Sequence, residues 1–118
     1  MAVAAGCAAQ PQARDVAAPL ERRREVRDGA LDAAVALAVE GRYDEAAAQF
    51  SALMQRYDAA GDRARLAESL FWLGYCREKL GRPDEARDLY ERVVRDHPAG
   101  PAARQAAERL GRLAPAPP

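Results

Sequence analysis

The side chains able to do chemistry are few: one histidine, His97, two cysteines, Cys7 and Cys76, and two adjacent carboxylate pairs, Asp44-Glu45 and Asp84-Glu85. A metal centre or an activated nucleophile needs such groups clustered at ligand spacing or within reach of a base, and none recurs here in a recognisable spacing. His97 stands before Pro98 at what reads as a helix end, a place for a capping or solvated imidazole. Cys76 lies mid-helix among apolar residues, as a small buried hydrophobe does, and a bridge to Cys7 is not expected. Each carboxylate pair falls in the first turn of a predicted helix, where the macrodipole alone accounts for it. No Gly-rich phosphate loop is present. The residues predict no enzyme, no metal and no cofactor.

The elements that carry these residues are written twice. Gly41-Arg42-Tyr43-Asp44-Glu45-Ala46 returns as Gly81-Arg82-Pro83-Asp84-Glu85-Ala86, a period of 40 residues, and repetition at such a period marks stacked supersecondary units. Four residues past each alanine comes an aromatic, Phe50 or Tyr90, followed by an aliphatic, Leu53 or Val93. Small residues at Ala46 and Ala86 let helices approach, and the aromatics one turn later fill the space between them.

Composition agrees with an all-α domain. Of 118 residues 49% are hydrophobic, enough for one small core, yet aromatics make only 6% and no stretch alternates apolar with polar for long, so no strand is predicted. Lys+Arg and Asp+Glu both number 18, which leaves no global field to favour nucleic acid. Asp88 with Arg92 and Glu91 with Arg95 have i,i+4 spacing for ordinary helix support. Arg22-Arg23-Arg24 is interleaved with Glu21, Glu25 and Asp28, as on a solvated helix face.

Residues 1–19 are rich in Ala, Gln and Pro and read as a flexible leader, and residues 20–113 as the folded domain, with a disordered tail at 114–118. A first helix is predicted from Leu20 to Glu40, with an interruption near Gly29, and a second from Tyr43 to Ala60. Asp62 suits the N-cap of a third helix that reaches Leu80, and Pro83 opens a fourth that ends at His97-Pro98. Gly100-Pro101 starts a shorter helix to about Leu113, making about five in all.

Leu70-x2-Leu73-Gly74-x2-Arg77, Ala86-x3-Tyr90 and Pro98 together resemble the tetratricopeptide repeat. A first copy resembles it through Ala30-x2-Ala33-Ala34-x2-Leu37 and Ala46-x3-Phe50, and Ala103-x2-Ala106-Ala107-x2-Leu110 looks like a third first-helix that serves as a cap. Repeat one then spans about 27–60, repeat two about 62–98, and the cap about 101–113. Arg77 stands where the family usually has an aromatic, and could lay its stem along the core. The period exceeds the usual 34 residues of the family, with the extra residues around Ala59 to Leu66. The resemblance implies antiparallel helix hairpins stacked as a short right-handed solenoid.

It also implies a concave face on the first helix of each pair, where peptides dock. At 100° per residue Leu66, Leu70, Leu73, Gly74 and Arg77 share one stripe of the third helix, whereas Phe71 and Tyr75 lie on another, flanked by Glu68 and Glu78. Trp72 points between the groove and the preceding hairpin, and the matching face of the first repeat presents Asp28, Leu31, Val35 and Ala38. Such a groove suits an amphipathic or basic segment of a protein partner. Phe71, Trp72 and Tyr75 could equally be packed inside the stack.

Two functions remain open at this level. One is a protein-interaction scaffold, in the cell envelope if a signal lies upstream and otherwise cytoplasmic. The other is a structural cell-envelope lipoprotein facing the periplasm, because Val3-Ala4-Ala5-Gly6-Cys7 resembles a bacterial lipobox, although the charged and long apolar segments that should precede such a cysteine are not in the sequence. In that case the membrane is reached only through a lipid on Cys7. Two repeats and a cap fall short of the roughly three units a stack usually needs, so the expectation is a marginal monomer or a homo-oligomer.

Overall fold

The computed structural model describes residues 28–113. Within them run five helices, α1 (Gly29–Val39), α2 (Tyr43–Ala60), α3 (Arg63–Lys79), α4 (Pro83–Asp96) and α5 (Pro101–Arg112), with no strand among the described residues. Each packs against the next, and α3 also touches α1 and α5. The first helices of successive hairpins therefore form one layer, α1, α3 and α5, with α2 and α4 outside it.

The duplicated hexapeptide builds the turn inside each hairpin. Gly41 and Gly81 sit at φ 85° and 79°, a region that costs an L side chain about 1–2 kcal/mol. This left-handed step lets the N–H groups of Arg42 and Arg82 donate back to the carbonyls of Leu37 and Arg77, both at 2.9 Å, which satisfies the helix ends. Each arginine then pairs with the glutamate three residues on, Arg42 with Glu45 at 2.7 Å and Arg82 with Glu85 at 3.8 Å. The connection between hairpins uses Gly61 and then Asp62, whose carboxylate accepts from the Arg65 N–H at 3.2 Å and caps α3.

The equivalent core positions are filled equivalently. Ala46 and Ala86, then Phe50 and Tyr90, are wholly buried, and Leu53 and Val93 follow them into the core. Gly74 explains how the larger phenol fits: a Cβ there would lie 2.8 Å from Tyr90 Cε1. The first repeat has Ala34 at that place and the smaller Phe50 opposite.

The interruption expected near Gly29 falls where α1 begins: Asp28 has extended backbone, and its Oδ1 accepts from the N–H groups of Ala30 and Leu31 at 2.9 and 3.4 Å. The stretch 20–27 lies outside the described residues, as do the leader and the tail. Arg92 and Arg95 turn towards Asp96, at 3.9 and 3.0 Å, rather than to Asp88 and Glu91. Asp96 ends α4, and a single carboxylate there gathers both guanidinium groups.

Candidate functional site

The predicted groove residues all belong to the α1, α3, α5 layer, but the fold uses them differently. Phe71 is 7% exposed and Leu31 5%, so both are core residues and not groove lining. Phe71 has its ring 5.7 Å from Trp72 and 5.7 Å from Tyr90. The reason is its position on α3, which is covered by α1, α2, α4 and α5 together. A helix packed on four sides buries more than one stripe. Ala38 is buried too, and Asp28 is committed as the cap of α1, with Oδ2 accepting from the Tyr57 hydroxyl at 2.7 Å.

Val35, Trp72 and Tyr75 stay half-buried and Glu68 exposed. Trp72 stacks on Phe50 of α2, centroids 6.2 Å apart and planes 9° from parallel. Tyr75 is where three helices meet: the ring of Tyr43 from α2 stands edge-on at 6.2 Å, Trp72 at 5.4 Å, and the Arg109 guanidinium of α5 lies 5.2 Å from the Tyr75 centroid. Lys79, one turn on, places its ammonium 5.4 Å from the same ring. Half-exposed aromatic rings of this kind offer apolar area at little conformational cost.

Glu78 does not form an acidic edge. Its carboxylate pairs with both Nε and NH2 of Arg109, the first at 3.1 Å, and accepts the Tyr90 hydroxyl at 2.9 Å. Both ionic side chains are only 19% exposed. Burial, then the bond to Glu78, raise the Tyr90 phenol well above its ordinary pKa, and the same carboxylate holds Arg109 still more firmly protonated. This arrangement locks α5 onto α3 and α4. Sequence reading missed Arg109, which is 31 residues from Glu78, and Lys79. Tyr43 carried a signal, since it stands where the second copy has Pro83.

The chemical candidates are structural. Cys76 is fully buried and unpaired, its thiol pushed up to about 11 by burial. His97 is the C-cap of α4, its N–H bonded to Val93 O at 2.9 Å, and burial followed by the nearby Arg63 lowers its imidazole pKa. No group of three metal-ligating side chains occurs among the described residues. Two surface hollows, between Tyr43 and Leu80 and between Met54 and Arg92, measure about 210 and 250 Å³, below the roughly 300–1,000 Å³ of small-molecule sites. No described helix is long and apolar enough to cross a membrane.

Hairpins stacked through small residues, with the aromatic rings of α2, α3 and α4 packed on one another, define a helical-repeat scaffold. A family model for the tetratricopeptide repeat matches residues 27–97, more than half of the chain, and the chain belongs to that family, a non-catalytic repeat scaffold whose members generally mediate protein–protein interaction. No curated protein and no solved structure matches it.

Proposed function

We propose that this chain is a protein-interaction scaffold that holds an amphipathic segment of a partner against the α1, α3, α5 layer, with Tyr75 as the central contact. The observation that carries the reading is Tyr75 itself. It is half-buried, ringed by Tyr43 and Trp72, and flanked by the cations of Lys79 and Arg109. An apolar side chain of the partner would add to this cluster, and Val35 would extend the contact along α1. The test is Tyr75→Ala: partner affinity should fall about tenfold or more, as for an aromatic hot spot, with helix content unchanged. Unchanged affinity with the fold intact would remove the assignment.

Anchoring in the cell envelope through Cys7 is a second reading, motivated by Val3 to Cys7, which lie outside the described residues. Intact-mass measurement on protein from the native cell decides it. A diacylglyceryl adduct on an N-terminal Cys7 supports it, and an unmodified Cys7 removes it.

A further inference from the structure

α5 is held by less apolar contact than α2 and α3. It buries Ala102, Ala103 and Ala106, with Leu110 and Leu113 only partly covered, whereas α2 buries Phe50, Leu53 and Tyr57 and α3 buries Leu66, Leu70, Phe71 and Leu73. Burial stabilises roughly in proportion to apolar area, and an alanine methyl offers little of it. A helix of 12 residues is marginal without tertiary contact. The cap residue Gly100 gives α5 no side-chain bond, and Pro98 and Ala99, which lead to it from α4, are exposed. The tie that offsets this is ionic. Arg109 pairs with Glu78 of α3, whose carboxylate also accepts the Tyr90 hydroxyl of α4. The same guanidinium lies 5.2 Å from the Tyr75 centroid, so the contact that holds α5 also sets the surroundings of Tyr75.

We propose that α5 is a releasable latch on the Tyr75 surface: it opens as a unit while α1 to α4 stay folded, and Arg109 is the positioning residue that closes it. Elements with few buried apolar contacts open at lower free energy than the core. In the closed state the Tyr75 ring has two cations beside it, Lys79 and Arg109, and the Glu78 carboxylate is neutralised. In the open state one cation is gone, and that carboxylate, three residues from Tyr75 on the same helix, is uncovered next to Lys79. The surface thus changes its charge with the state of α5. The regulatory consequence rests on Tyr75 being the partner contact. An amphipathic segment seated on the closed surface stabilises α5 by as much as its affinities for the two states differ, and release of α5 weakens its hold. The opening itself is a property of the chain alone.

The test is made without a partner, so its outcome is separate from the fate of Tyr75 as a contact. The full chain carries Cys7→Ser and Ala106→Cys, Ala106 being wholly buried on α5, and Cys76, wholly buried on α3, is the internal reference. Maleimide labelling of each thiol is followed from zero to subdenaturing urea and divided by its rate in the unfolded chain. The latch predicts that position 106 labels at least about tenfold faster than Cys76 in native buffer, with a shallow urea dependence against a steep one, since a local opening exposes little surface. Arg109→Ala should speed labelling at position 106 about tenfold, and Arg109→Lys, which keeps the charge without the planar fork, by less. Should Ala106→Cys loosen α5 by itself, amide exchange of Ala106 against Leu53 in the unsubstituted chain makes the same comparison. Equal rates and equal urea slopes at the two sites would mean that α5 opens only with the whole domain, and would overturn the proposal. A rate at position 106 indifferent to Arg109→Ala would overturn it equally.

Discussion

Phe50 and Tyr90 occupy the same place in the two hairpins, both wholly buried, yet they are held by different means. Phe50 stacks on Trp72 of the following hairpin. Tyr90 stands against Gly74 and spends its hydroxyl on Glu78, which in turn binds Arg109 of α5. The second helices α2 and α4 repeat one another, while the first helices do not: α1 is small and apolar, and α3 carries Phe71, Trp72 and Tyr75. Conserving the turn and the aromatic wedge fixes how the hairpins stack. Divergence in the first helices decides what their common layer presents.

Removing either wedge should have the largest effect. Phe50→Ala and Tyr90→Ala should each cost about 3–5 kcal/mol in urea unfolding, and a much smaller loss for one would break the equivalence of the hairpins. Next comes the lock that only the second hairpin has. Arg109→Ala leaves Glu78 without its ionic partner and should cost about 1–3 kcal/mol, with α5 amides exchanging faster than those of α2. Gly74→Ala pushes a methyl into the Tyr90 ring and should cost about 1–3 kcal/mol, whereas Ala34→Gly in the first hairpin should cost about 1 kcal/mol. Equal effects would mean that the two rings are not seated differently.

The smallest effect belongs to the tie between α1 and α2. The Tyr57 hydroxyl, with the Ala30 and Leu31 N–H groups, holds the Asp28 carboxyl below the usual carboxylate range. A depressed carboxylate contributes its stability in full above the unfolded pKa and loses it as pH falls through the folded one. Tyr57→Phe should therefore cost about 0.5–1.5 kcal/mol at neutral pH, with the difference from the parent shrinking below about pH 4. A difference that stayed constant into acid would show that the hydroxyl does not act through Asp28.

Much of this was legible in the residues. Gly41, Gly61, Gly81 and Pro83 set the turns through local backbone chemistry, and the helix boundaries from α2 to α5 follow from them within about one residue. The break near Gly29 was legible too, whereas the bond from the Tyr57 hydroxyl, 29 residues away, to the other Asp28 carboxylate oxygen was not. The groove assignment of Phe71 and Leu31 failed for a related reason. A helical wheel finds the stripe that faces one neighbour, and α3 has four. Glu78 read as solvent-facing because its partner Arg109 belongs to another helix. Tyr75 reads as lying off the stripe of Leu70, Leu73 and Gly74, and it is half-buried in the fold.

The central claim is that partners meet the layer of first helices at Tyr75. The most direct measurement replaces Tyr75 with the photocrosslinker p-benzoylphenylalanine in the native cell, with Gln55 on the exposed side of α2 as the matched control. The account predicts a discrete protein adduct from position 75 and none from position 55. Adducts from position 55 alone, or the same adduct from both, would contradict it.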